Sequence, residues 1–322
     1  MFFSVIIPLY NKAPYIEKAL SSIVSQTFQD YELIVVDDGS KDDSASIAEK
    51  LIHSQWGDGS KAKLIRQANS GVSTARNNGV AASHGDYICF LDADDWWEPT
   101  FLEEMAKLIQ DYPDAGIYGT GYTIINERKH KTRIAPIGVE PGFLKGYINY
   151  CQVYAKTLCM PLTSISVSLP RHIFDKMGGF KPQLKLGEDF DLWIRIALKY
   201  KVAFLNKPLS NYNQDVDTAN RGVHYQKYDP KSFMTFYFDQ FEKEEASNPS
   251  LKKLLDKIRV SSLLRFRVNN SHQSLVKKEI SKVDFSNVDH IYRFYYYSPY
   301  PVFHIYWSFR HFLAIIKNSF NS

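Results

Sequence analysis

Asp86-Tyr-Ile-Cys-Phe-Leu-Asp-Ala-Asp-Asp-Trp-Trp97 sets a short apolar run directly before three carboxylates within four positions. The pattern predicts a buried strand ending in an anion-rich turn, with a helix beginning near Glu98-Pro99. Asp92 and Asp94 stand two apart at the strand's end, a spacing that can point both side chains to one side, with Asp95 beside them. Carboxylates this close repel one another unless a cation is near. Their hard oxygens suit Mg²⁺ or Mn²⁺, which keep several waters and complete their shell with substrate phosphates. An Asx-turn capping the next helix explains the same residues without any ligand, so the rest of the chain has to decide.

Upstream, Ser4-Val-Ile-Ile-Pro-Leu-Tyr10 reads as a buried strand, and Ile16, Ala19, Leu20 and Ile23 keep helical spacing after it. Tyr31-Glu-Leu-Ile-Val-Val36 is a second strand running into Asp37-Asp38-Gly39-Ser40, followed by a helix from about Asp43 to His53. Lys63-Leu-Ile-Arg66 is a third, after which Asn69-Ser-Gly71 opens a helix through Ala75, Ala81 and Ala82. Four strand–helix alternations predict an α/β fold, a parallel sheet with helices on both faces. Right-handed crossovers then bring the strands' C-terminal ends to one edge, where such sheets bind ligands. That edge collects Tyr10, Asn11, Asp37, Asp38, Asn69, Arg76 and Asp92 to Asp95. No G-x-G-x-x-G follows the first strand and no G-x-x-x-x-G-K-[ST] occurs, so neither a dinucleotide fingerprint nor a P-loop is present. An Asp at the end of the second strand can accept hydrogen bonds from a base or ribose, or else cap a helix. Arg76 can fork onto a phosphate or base, or else stand as an ordinary surface Arg.

At 322 residues the chain can bury a sizeable core, and its 23% charged and 44% apolar fractions are ordinary for a soluble globular protein. With 21 Tyr and 21 Phe, an aromatic-rich surface is expected. Cys89, Cys151 and Cys159 make no metal spacing and leave an odd number for pairing, which fits a reducing compartment. The start, Phe2-Phe3-Ser4-Val5-Ile6-Ile7, has no basic n-region or cleavage site and reads as a first strand rather than a secretory signal. The net charge of +4 hides an asymmetry: residues 251–322 carry twelve Lys/Arg against four Asp/Glu, leaving the rest at −4. A basic, aromatic tail points to an acidic partner, either anionic lipid or nucleic acid.

Further along, Ala115 to Ile125 reads as a strand weakened by glycines, 126–133 as a hairpin tip or surface loop, 147–159 as a helix and Thr163 to Leu169 as a strand. Leu186-Gly-Glu-Asp-Phe-Asp-Leu-Trp-Ile-Arg-Ile-Ala-Leu198 starts a helix with Phe190, Trp193, Ile194 and Ala197 on its apolar face. Glu188 and Asp189 fall on its first turn, suited either to the helix dipole or to general-base work, with Asp191 as the rival base. Val202 to Leu205 and Pro208 to Tyr212 return toward the sheet. The organisation expected is a catalytic domain over 1–222 and a mainly helical, basic and aromatic region over 223–322, with Leu251, Leu254, Leu255 and Ile258 at helical spacing. The stretch 292–317, broken by Pro299 and Pro301, is too interrupted by Arg310 and histidines to span a bilayer. It suits either an anionic membrane interface or a helix packed on the catalytic domain or on the second subunit of a homodimer.

Five segments together resemble the inverting family 2 glycosyltransferases with a GT-A fold: Ser4 to Asn11, Val36-Asp-Asp-Gly-Ser40, Asn69 to Gly79, Phe90-Leu-Asp-Ala-Asp-Asp95 and Gly187-Glu-Asp-Phe-Asp-Leu-Trp193. The resemblance covers roughly residues 3–215. It implies a GT-A-type nucleotide-binding sheet flanked by helices, with the helical region as a C-terminal extension. Donor binding would fall to Pro8, Tyr10 and Asn11 from the first segment, Asp37 and Asp38 on the nucleoside, Arg76, and Asp92 toward the ribose. Asp94 would be the metal ligand with Asp95 beside it, the ion being Mn²⁺ or Mg²⁺. Asp189 would be the catalytic base, in the Glu188-Asp189 pair. The implied reaction moves a hexosyl or N-acetylhexosaminyl group from a nucleotide sugar, UDP-linked by preference, to a saccharide or lipid-linked saccharide in cell-surface polysaccharide synthesis. No nucleic-acid partner is then expected, and the setting is cytoplasmic or peripheral on the cytoplasmic face. The family often carries an Arg and a His after a Tyr such as Tyr212, whereas Asn213-Gln214-Asp215 stand here, with Arg221 and His224 beyond; Arg221 is the nearest substitute. A metal-dependent nucleotidyltransferase and a non-catalytic nucleotide-sugar or membrane-binding partner are the alternatives.

Overall fold

The computed structural model describes residues 1–57, 61–126, 128, 130–216 and 229–319, and side chains within 311–319 only at Phe312. The chain divides into two compact units, Met1–Met234 and Thr235–Ser322. The expected boundary at 222, Arg221 and His224 all lie outside the described residues. The first unit reaches Met234 because Phe233 bridges Leu186 and the Met234 N–H donates to the Leu186 carbonyl.

The first unit begins with β1 (Phe3–Leu9), α1 (Ile16–Val24), β2 (Tyr31–Asp37), α2 (Ser44–Trp56), β3 (Ala62–Arg66), α3 (Val72–Ala81) and β4 (Tyr87–Phe90). These strands pair in parallel, in the order β3-β2-β1-β4. β1 and β2 are almost continuously apolar because both faces are covered. Phe3, Val5, Ile7 and Leu9 join the core that includes Ile16, Ala19, Leu20 and Ile23 of α1. On the other face α3 comes so close that a Cβ on Gly79 would lie 2.3 Å from Ile6 Cγ2.

The remainder is β5 (Trp96–Trp97), α4 (Phe101–Asp111), β6 (Ala115–Asn126), β7 (Lys131–Ile134), β8 (Lys145–Ile148), α5 (Tyr150–Thr157), β9 (Val167–Pro170), α6 (Arg171–Met177), α7 (Glu188–Ala197) and β10 (Lys201–Asn213). The sheet continues β4-β9-β6-β10-β5, with β7 on β6 and β8 on β10. The four strands from which a parallel sheet is expected are parallel, and β9, antiparallel to both β4 and β6, makes the sheet as a whole mixed. The alternating pattern that predicts crossovers stops at β4; beyond it β6 and β7 form a hairpin, β10 runs parallel to β6, and β8 and β9 pair antiparallel with strands far away in sequence. Two elements expected as separate returns form the single strand β10, whose pairing with β6 shifts register around Pro208. Thr163 to Ser166 folds as a 3₁₀ turn instead of strand, its Thr and Ser side chains satisfying each other's backbone. Trp97 stacks on Phe101 at 4.1 Å and donates its indole N–H to the Ile165 carbonyl at 2.7 Å, fixing the acidic turn between two packed anchors.

The second unit is helical: α8 (Glu242–Ser247), α9 (Pro249–Ser262), α10 (Leu264–Val268), α11 (Gln273–Ile280), α12 (His290–Tyr297) and α13 (Tyr300–Ser319). Val260, Leu263, Val276, Ile280 and Val288 form its core. α12 ends before Pro299, and Pro301 falls in the first turn of α13, where its missing N–H costs nothing. Among the described residues no helix is long and apolar enough to cross a membrane.

Candidate active site

At the strand ends of the first unit lies a cleft of about 790 Å³, walled by the turns after β1, β2 and β4 and by the starts of α3 and α7. Pro8 and Tyr10 line it from β1. Asn11 is not part of the wall: it sits at φ +50° and accepts the Lys41 N–H at 2.8 Å. Asp37 is also set back, accepting the Ser40 N–H at 3.2 Å. These two residues shape the turn, a task to which Asn and Asp are suited. Asp38 does line the cleft, and it also anchors the loop before α3: one oxygen accepts from Gln67 at 2.7 Å and the Ser70 N–H at 2.8 Å, the other from the Gly71 N–H at 2.8 Å. Asp38 thus ties the loop before α3 to the end of β2 and caps neither neighbouring helix.

Arg76 projects from α3 and is 3% exposed. It donates to Asp92 at 2.7 Å and to Glu188 at 3.1 Å, joining the end of β4 to the start of α7. Burial opposes its charge, but Asp92, Glu188 and Asp189 more than offset this and hold it protonated. Its Nε has no hydrogen-bond partner.

In the acidic turn Asp94 pairs with Lys12 at 2.6 Å, and Asp95 accepts the Asn213 N–H at 2.7 Å. Burial, with Asp92 adding to it, pushes Asp94 up against the opposing pull of Lys12. Burial and then the charges of Asp94 and Asp92 push Asp95 well above the carboxylate range. Among the described residues no three acids, histidines or cysteines converge as a cation cage. The oxygens of Asp94 and Asp95 fit instead a divalent ion that takes one or two carboxylates and shares a ligand's phosphates. Lys12, which sequence reasoning missed, already brings one positive charge to that place; nothing in its local pattern marks it.

α7 begins at Gly187, whose φ of +80° and approach to Met234, 2.8 Å from a hypothetical Cβ, favour glycine. Glu188 lines the cleft, and Asp189, next in the chain, is half-buried beside it and not itself in the wall. Burial first, then Glu188, raises Asp189 to about 7, against Arg76 and the Phe190 N–H that bonds it at 2.7 Å. From α5, Tyr150 and Tyr154 lie close enough that the charge of Asp189 adds to burial in raising both phenols. Asp191 is not in the cleft wall. It is fully buried, with Lys181 at 2.9 Å and Arg195 at 2.7 Å, and Arg195 is tied to the carbonyls of Met177 and Gly179. Asp191 therefore holds α7 in place, which corrects its reading as a rival base. Lys185, Tyr212 and Asn213 complete the lining.

Residues 4–169, more than half of the chain, match the family model for glycosyl transferase family 2. The chain belongs to that family. An uncharacterized glycosyltransferase of Rickettsia conorii is 33% identical over 197 residues, 60% of this chain and 31% of that protein. The glycosyltransferase GlyA of Streptococcus pneumoniae is 38% identical over 38% of this chain and 17% of its own. The chain thus spans about a third or less of these two relatives. Among solved structures, S. aureus TarS in complex with UDP-GlcNAc shares the fold at a TM-score of 0.59 and 19% identity, over 92% of this chain and 90% of that one. A Pyrobaculum calidifontis mannosyltransferase in complex with GDP-Man and Mn²⁺ does so at 0.54 and 18%, over 87% and 73%. As a family 2 member, the protein carries its GT-A sheet in the first unit and its helical region after it.

Proposed function

We propose that the protein is an inverting glycosyltransferase that moves a sugar from a nucleotide donor, UDP-linked, to a hydroxyl of a saccharide or lipid-linked saccharide in building a bacterial cell-surface polysaccharide. The observation that carries this reading is Arg76, which bonds Asp92 and Glu188 at once and so draws the α7 acids to the donor edge. Asp38 and Asp92 offer acceptors to base and ribose, and Lys12, Arg76 and Lys185 bring positive charge to the cleft. Asp189 takes the acceptor's proton as its oxygen attacks the anomeric carbon from the face opposite the diphosphate, and the broken C–O bond's electrons leave with the diphosphate. A base titrating near 7 is matched to this work. Asp94, with Asp95 beside it, would hold a divalent cation such as Mn²⁺ or Mg²⁺, which when bound would supply positive charge against the departing diphosphate. UDP and an N-acetylhexosaminyl or hexosyl group are supported by the UDP-GlcNAc complex of the TarS fold relative. The cytoplasmic face of the membrane as its setting rests on the basic, aromatic tail.

Donor hydrolysis across a panel of nucleotide sugars, with and without Mn²⁺ and alongside Asp94→Ala, tests the reading. Metal-dependent release of nucleoside diphosphate from one donor, lost in the variant, is the expected result. Absence both of release and of nucleotide binding by calorimetry would overturn it.

A further inference from the structure

α13 is apolar on two opposite faces. Its inner face is fixed on α12 through Tyr295, whose ring meets Phe303 at 5.7 Å and Trp307 at 5.8 Å and whose hydroxyl accepts from Arg310 at 2.8 Å. Phe303 is fully buried there. On the other side Val302, Ile305, Phe309 and Phe312 recur at three- and four-residue steps and are 49%, 72%, 59% and 59% exposed. Ordinary surface helices present a polar outer face, and an apolar stripe of this length toward water marks an interaction surface.

We propose that this outer stripe lies in the headgroup region of an anionic lipid bilayer, with α13 parallel to the surface. Charge chooses the occupant. From His290 onward the sequence has no Asp or Glu and is net basic through Arg293, Arg310 and Lys317, although Arg310 is turned to Tyr295 on the inner face. Two such segments brought together by a two-fold axis would set net positive charge against net positive charge, whereas anionic headgroups complement it. Aromatic rings around the stripe suit the headgroup depth, and Pro301 starts the helix without breaking it. Such a surface would hold the cleft-bearing chain where a lipid-linked acceptor resides. This deepens the proposed function, and its test uses no nucleotide sugar, so either can fail without the other.

The full chain is mixed with vesicles of phosphatidylglycerol and phosphatidylcholine, or of phosphatidylcholine alone, and sedimented. The wild-type chain should bind the anionic vesicles preferentially and lose binding as salt rises. Ile305→Ser with Phe309→Ser, both at exposed positions, should weaken it about tenfold or more. Tryptophan quenching by brominated lipid in the wild-type chain gives a second measurement that needs no variant, and quenching is expected. Equal binding by wild type and double variant, or no vesicle binding and no quenching, would overturn the proposal. So would a wild-type dimer, seen by light scattering, that the double variant dissolves without any vesicle binding, since the stripe would then belong to a second copy.

Discussion

Arg76 in the first unit and Arg259 in the second are both buried among carboxylates, at 3% and 1% exposure, yet the two clusters are built to different ends. Arg259 gives both terminal nitrogens to Glu245, at 2.5 and 2.9 Å, and its Nε faces Glu279 at 3.5 Å. Its plane rests on the Phe238 ring, and Lys252 closes the set by binding Asp256 and Glu245. Arg76 divides its bonds between Asp92 and Glu188, and the Asp92 side chain remains 32% exposed. The ion-pair chemistry is the same. Both networks border a cavity, but around Arg259 the charged groups are spent on one another, whereas Arg76 keeps a spare N–H and Asp92 an exposed oxygen, which leaves valence for a ligand.

The largest test of this contrast is Asp189→Asn, which should lower kcat by roughly 10²- to 10⁴-fold while nucleotide affinity and Tm stay unchanged. Equal loss of binding, rate and stability would make the α7 acids as structural as those around Arg259. Next, Arg259→Met should cost about 3–5 kcal/mol, because it strands buried carboxylates, and should show as an earlier thermal transition with nucleotide affinity kept. Arg76→Met should reverse the balance, with weaker nucleotide binding and a smaller Tm loss because water in the cleft reaches Asp92; matching Tm losses would break the comparison.

The pH profile sharpens it further. As the proposed base Asp189 would act when ionised, and its pKa is raised to about 7, so kcat/KM should climb as pH rises through that value and level off above it. Below it the rate should fall about tenfold per pH unit. Removing Arg76, which pulls this pKa down, should move the midpoint upward, and an unmoved midpoint would uncouple the two residues. The smallest effect is expected from Gly187→Ala. Its positive φ and the Met234 contact should cost about 1–3 kcal/mol in urea unfolding, with some loss of rate as the start of α7 shifts.

Much of the cleft was legible in the chain. Buried strands that end in Asp38 and in Asp92 to Asp95 announce themselves by apolar runs meeting charge, and alternation with helices puts their ends on one edge. Past β4 the reading weakened, since strand direction there depends on hydrogen-bond partners far away in sequence, as in β9 between β4 and β6. Lys12 had no local signal because its partner Asp94 is distant along the chain.

By itself the sequence determined which segments are strand and helix in the first half, where the acids lie and how basic the tail is, because apolar spacing and composition are local properties. Asp189 was preferred over Asp191 on the resemblance, and only the tertiary structure showed how differently the two are surrounded. Two steps along a helix turn a side chain by about 200°, so one faces Arg76 and the tyrosines of α5 while the other is sealed against Lys181 and Arg195. It likewise decided which face of α13 is spent on Tyr295 and which is left to solvent, because the two faces are alike in composition and differ only in what packs against them.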